Sequence, residues 1–206
     1  MSATKDIFIA SGGIKLEGCI WSPYDNSEAT KSEIALLLHP HPLYGGSMHD
    51  GVLSVARSVF LERGMSACAF NLPGVGASEG RSSGDLSERD HVLAVVEYLS
   101  DEGYDITWGV GYSYGGALLT LSLAGFGVTA RAILIAPALG LLNEQLASPV
   151  QPIHAVVGDK DPYSSVDQIK QHLPEATVRL ITGADHFFSG SQGELGKAIE
   201  DSIDGA

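Results

Sequence analysis

Hydrophobic and polar positions along the chain fall into two rhythms. Near the N-terminus, Ile7-Phe8-Ile9 and Lys15 to Trp21 flank Ser11-Gly12-Gly13, which predicts a two-stranded hairpin. The polar stretch from Asp25 to Ser32 predicts a loop. From there the pattern becomes a series of short, nearly continuous apolar runs at 34–38, 65–70, 106–110, 132–136, 153–157 and 178–181, as expected of strands covered on both faces. Between them apolar positions recur with helical period. Val52, Val55, Val59 and Phe60 mark one stripe, and Val92, Val95, Val96 and Leu99 another, the latter behind a capping box from Ser87 to Asp90. Helix-like segments also lie at 117–124 and 166–173. Strand alternating with helix predicts one α/β domain over residues 1–206, built on a mostly parallel, doubly wound sheet with an antiparallel N-terminal hairpin.

Composition narrows the function classes. The 206 residues are 44% hydrophobic and 18% charged, enough apolar material for one sizeable core. A net charge of −13 repels phosphate backbones and anionic lipid, which argues against nucleic acid and a membrane surface as partners. Cys19 and Cys68 stand alone in apolar runs, suggesting neither a disulfide framework nor a zinc knuckle. The first residues form no apolar leader, and no run reaches the roughly 18 apolar residues that span a bilayer. A cytoplasmic location is the expectation.

The segment Gly111-Tyr112-Ser113-Tyr114-Gly115-Gly116 follows the apolar run 106–110 and opens the helix-like 117–124. A GxSxG sequence between strand and helix is what a nucleophile elbow requires, because small residues two before and two after the serine let strand and helix pass closely. Such a serine needs a base, and the base needs an orienting carboxylate. Gly158-Asp159-Lys160-Asp161 supplies two candidate acids at a strand end, and Gly183-Ala184-Asp185-His186 places a histidine just after the last strand. His186 is the expected base. His154, inside an apolar strand, and His172, in the helix-like 166–173, read as structural. Ligands in open α/β sheets bind at the C-terminal strand ends, where these groups converge.

In this order the motifs resemble the α/β-hydrolase superfamily, and more narrowly a subgroup of small lidless serine hydrolases distantly similar to dienelactone hydrolase. The resemblance also rests on the loops Leu38-His39-Pro40-His41-Pro42-Leu43-Tyr44-Gly45-Gly46 and Asn71 to Gly80, and it covers nearly the whole chain. It implies that the acid stands three residues after the strand-ending glycine, at Asp161, with Asp159 the alternative. It also implies that a lid, where present, follows the sixth strand, and 137–151 leaves only 15 residues there. The implied activity is hydrolysis of an ester, thioester or related acyl bond of a small molecule. No cofactor is implied.

An oxyanion hole takes two backbone N–H groups, one from Tyr114, after the nucleophile, and one from the loop after the third strand. Pro40 and Pro42 cannot donate, which leaves His41, Leu43 or Tyr44, with Leu43 favoured. Two rival readings remain. His39 and His41 form an HxH pair of the kind that ligates zinc, for which His49 or Asp50 is the nearest third ligand. A non-catalytic relative using the fold for binding is the other. Gly74-Val75-Gly76-Ala77-Ser78-Glu79-Gly80 looks like a dinucleotide phosphate loop, yet no helix opens directly after it. Phe187 and Phe188 are candidates for an acyl pocket or for core at the start of the last helix.

Overall fold

The computed structural model describes residues 3–23, 33–142 and 151–205, so the loop expected at 25–32 lies outside the described residues. The alternating N-terminal pattern folds as β1 (Ala3–Ser11) and β2 (Ile14–Ser22), antiparallel around Gly12 and Gly13. The six apolar runs become β3 (Glu33–Leu38), β4 (Ser66–Phe70), β5 (Asp105–Tyr112), β6 (Arg131–Ile135), β7 (Ile153–Gly158) and β8 (Thr177–Ile181). Interleaved with them are α1 (Gly51–Glu62), α2 (Arg89–Asp101), α3 (Tyr114–Ser122), α4 (Val166–His172) and α5 (Gln192–Asp204). One eight-stranded sheet results, in the order β1-β2-β4-β3-β5-β6-β7-β8, with β3 to β8 mutually parallel.

The inner strands β3 to β7 are largely apolar and buried because both faces are covered, whereas the edge strand β8, expected to be buried likewise, leaves Leu180 exposed. In β3, Ile34, Leu36 and Leu38 enter the core shared with α2, α3 and α4, while Ala35 and Leu37 enter the core under α1 and α5. The α1 stripe buries Val52, Leu53, Ala56, Val59 and Phe60, and that of α2 buries Val92, Val95 and Leu99. Among the described residues no helix is long and apolar enough to cross a membrane.

The helix starts are set differently from the sequence pattern. Asp50 caps α1, its Oδ1 accepting the Val52 and Leu53 N–H groups. The expected capping box at Ser87 to Asp90 does not form. Asp85 instead caps a 3₁₀ turn over Leu86–Glu88, and α2 follows with no side-chain cap. Glu88 turns inward and is buried, so its carboxylate serves the interior rather than the helix start. Parallel strands put their C-terminal ends on one edge of the sheet, and the loops leaving β3, β4, β5, β7 and β8 meet there.

Candidate active site

Strand β5 ends at Tyr112 and α3 begins at Tyr114, so Ser113 must turn the chain in a single residue. It does so at φ 53°, ψ −112°, a conformation that L-residues rarely occupy. The turn works because its neighbours lack side chains: a Cβ on Gly111 would run into the Gly115 carbonyl, and one on Gly115 into that of Leu38. Ser113 N–H donates to Ile135 O, and its carbonyl accepts from Gly116, Ala117 and Ala138. Among the described residues only Ser113, Ala136 and Phe188 have positive φ without being glycine. All three lie at this edge, where strain is held by surrounding structure.

His186 comes from the turn after β8, and its backbone carbonyl accepts the Tyr112 hydroxyl at 3.1 Å. Its Nε2 lies 3.1 Å from Ser113 Oγ and its Nδ1 lies 2.8 Å from Asp161 Oδ2. The other oxygen of Asp161 accepts the N–H groups of Tyr163 and Ser164 at 2.7 and 3.0 Å, and the carboxylate is fully buried. That arrangement fixes Nδ1 as the donor to Asp161 and leaves Nε2 free to accept the serine proton. Asp159 does not reach His186; its Oδ1 accepts Gly183 N–H at 2.7 Å and ties down the turn after β8. Asp185 accepts the N–H groups of Ser189 and Phe187, bonds that hold its carboxyl below the usual carboxylate range.

The donor positions are only partly as expected. Tyr114 N–H stands in the first turn of α3, where no preceding helical carbonyl is available to it. Leu43 N–H is donated to His41 Nδ1 at 3.2 Å, and Tyr44 N–H to His41 O at 3.1 Å. Leu43 and Tyr44 N–H are thus already engaged within the loop, and among the described residues His41 is the one of the three whose N–H meets no acceptor. The sequence hides this because the competing acceptor is a side chain within the same loop.

His39 has both ring nitrogens engaged: Nδ1 donates to Pro40 O at 2.6 Å and Nε2 accepts Leu72 N–H at 3.0 Å. Burial lowers its pKa from 6.5 to about 4, keeping the ring neutral. It joins the loops after β3 and β4 and has no lone pair left for a metal. No group of three or more metal-ligating side chains occurs among the described residues. In the glycine-rich loop at 74–80 five of the seven N–H groups are turned inward, Ala77 N–H to the Glu17 carboxylate and those of Gly74, Val75, Ser78 and Glu79 to backbone carbonyls, so no cradle of converging donors forms from them.

The sequence did not point to Glu88. Its Oε1 accepts Ser83 N–H at 2.9 Å and its Oε2 lies 2.8 Å from the Tyr114 hydroxyl, which is also 2.6 Å from Asp85 O. Burial, with the acidic neighbours, pushes the Tyr114 phenol far above its ordinary value, so it remains a donor. The Tyr114 ring in turn packs 4.6 Å from that of His41. A buried carboxylate thus anchors the residue beside Ser113. Cys19, pushed up to about 12 by burial, offers no competing nucleophile.

Phe188 is core, whereas Phe187 stands exposed beside His186, and neither lies in the last helix, which starts at Gln192. An α/β serine hydrolase homologue from Coxiella burnetii superposes with a TM-score of 0.82, covering 97% of each chain at 28% identity. The chain folds as an α/β hydrolase. A serine hydrolase without a lid from Xanthomonas campestris matches this α/β hydrolase with a TM-score of 0.83, 23% identity and coverage of 98% of this chain and 94% of that one. An uncharacterised protein of Rickettsia prowazekii is 28% identical over 202 residues, which is 91% of this chain and 85% of that protein. No family model matches the sequence. The structural likeness supports a hydrolase of this fold.

Proposed function

We propose that the protein is a serine hydrolase of carboxylic esters or related acyl bonds, with Ser113 as nucleophile, His186 as base and Asp161 as the orienting acid. The observation that carries this reading is the unbroken relay from Ser113 Oγ through His186 to a buried, fully bonded Asp161, at 3.1 and 2.8 Å. Ser113 Oγ attacks the acyl carbon while His186 Nε2 takes its proton, and the N–H groups of Tyr114 and His41 receive the developing oxyanion. His186 then returns the proton to the leaving oxygen. Water repeats the sequence and frees Ser113. This chemistry needs no cofactor, and the reduced, buried cysteines fit a cytoplasmic setting.

The test is labelling by a fluorophosphonate and mapping of the adduct. Wild type carries the label on Ser113, and Ser113→Ala loses both the label and ester turnover, the latter by about 10⁴- to 10⁶-fold. Labelling that survives the substitution refutes the assignment.

A further inference from the structure

Eight large hydrophobic side chains stand exposed among the described residues, and five of them, Leu43, Tyr44, Leu141, Tyr163 and Phe187, follow β3, β6, β7 and β8 at the edge that carries Ser113. Exposed apolar groups gathered in one place mark a surface that meets something apolar. Tyr163 and Phe187 are each 64% exposed. Their rings stand nearly perpendicular to that of His186, at 5.1 and 5.4 Å between centroids and interplanar angles of 76° and 87°. Each is held by its backbone, Tyr163 N–H on Asp161 Oδ1 and Phe187 N–H on Asp185 Oδ1, so neither side chain is needed to keep its turn.

The position of these rings matters because of where the leaving group departs. In the proposed reaction the acyl carbon bonds to Ser113 Oγ, the bond to the leaving oxygen breaks, and that oxygen takes the proton from His186 Nε2. It must therefore come within hydrogen-bond reach of Nε2, and whatever it carries projects over the neighbours of the imidazole. From this geometry we infer that the leaving alcohol carries an uncharged aromatic ring, held against Tyr163 and Phe187. A ring laid parallel to the imidazole lies nearly perpendicular to both neighbouring rings, and such edge-to-face contact favours aromatic groups beyond the area they bury. An alkyl group gains area only. A polyanionic leaving group is opposed by the net charge of −13.

The inference rests on the serine-hydrolase reading, and its test separates the two. Benzyl acetate and cyclohexylmethyl acetate release primary alcohols of similar size and acidity, so their kcat/KM ratio reports the aromatic ring rather than apolar area or leaving-group chemistry. Wild type favours the benzyl ester, and Tyr163→Ala and Phe187→Ala each reduce the ratio by about two- to tenfold. Tyr163→Phe, which keeps the ring, restores it. Fluorophosphonate labelling, run in parallel, reports the state of the relay in every variant. A ratio near one with labelling intact, or a ratio indifferent to both alanine substitutions, overturns the aromatic leaving group and leaves the hydrolase standing. Absence of labelling and of turnover with either ester overturns both.

Discussion

The two aspartates of the loop after β7 lie two residues apart and have separate tasks. Asp161 spends one oxygen on His186 and the other on two backbone N–H groups, which fixes its own position as well as that of the imidazole. Asp161→Asn keeps the shape but presents an amide to Nδ1 and favours the wrong tautomer. Turnover is expected to fall about 10³- to 10⁴-fold with little change in melting temperature. Asp159→Asn retains an acceptor for Gly183 N–H and leaves turnover near wild type. The opposite ranking in steady-state kinetics would exchange their roles. At this scale the hydrogen-bonded proximity of Ser113, His186 and Asp161 was legible because each lies by a strand end with a recognisable local motif. The capture of Leu43 N–H by the His41 ring and Glu88 as the anchor of Tyr114 were not, since each is defined by what its neighbours have already bonded.

At the scale of elements, α3 is tied to the turn that precedes α2 through one phenol. Tyr114 reaches Glu88 Oε2 and Asp85 O with a single buried hydroxyl. Tyr114→Phe keeps the backbone N–H at the site but leaves the buried Glu88 Oε2 without its donor, at a cost of about 1–3 kcal/mol. For a domain of this size that lowers the melting temperature by several degrees, about 2–4 °C for each kcal/mol. An unchanged melting temperature in calorimetry would show that the cluster carries no net stability. The strands and long helices could be read from apolar periodicity because burial on both sheet faces leaves few alternatives. The start of α2 could not. Ser87 and Asp90 have the spacing of a capping box, yet the buried demand of Tyr114 and Ser83 for a carboxylate draws Glu88 inward and leaves Asp85 as the cap.

At the scale of the whole molecule, His39 couples acidity to stability. The unfolded chain protonates this ring near pH 6.5, whereas the folded chain holds it neutral down to about 4. Between those values the unfolded state binds the extra proton, so stability falls as pH drops from 6.5 to 4, by up to about 3 kcal/mol from this group. Burial lowers His154 in the same direction. Urea unfolding at pH 7 and pH 5 is expected to give a lower midpoint at pH 5, with the His39 ring nitrogens still neutral by NMR in the folded protein. Equal midpoints would contradict this. The Ser113 turn bears on the same balance from the other side. Its φ of 53° and ψ of −112° are the mirror image of an ordinary extended conformation, which glycine adopts without strain. Replacing a residue by glycine normally destabilises, but here Ser113→Gly should melt higher than Ser113→Ala, because strain of about 1–3 kcal/mol outweighs the entropy of glycine. Ser113→Ala melting higher would remove the strain argument. Selection for persistence alone would therefore discard the serine, and on the serine-hydrolase reading its presence in so uncomfortable a conformation exchanges endurance for reactivity.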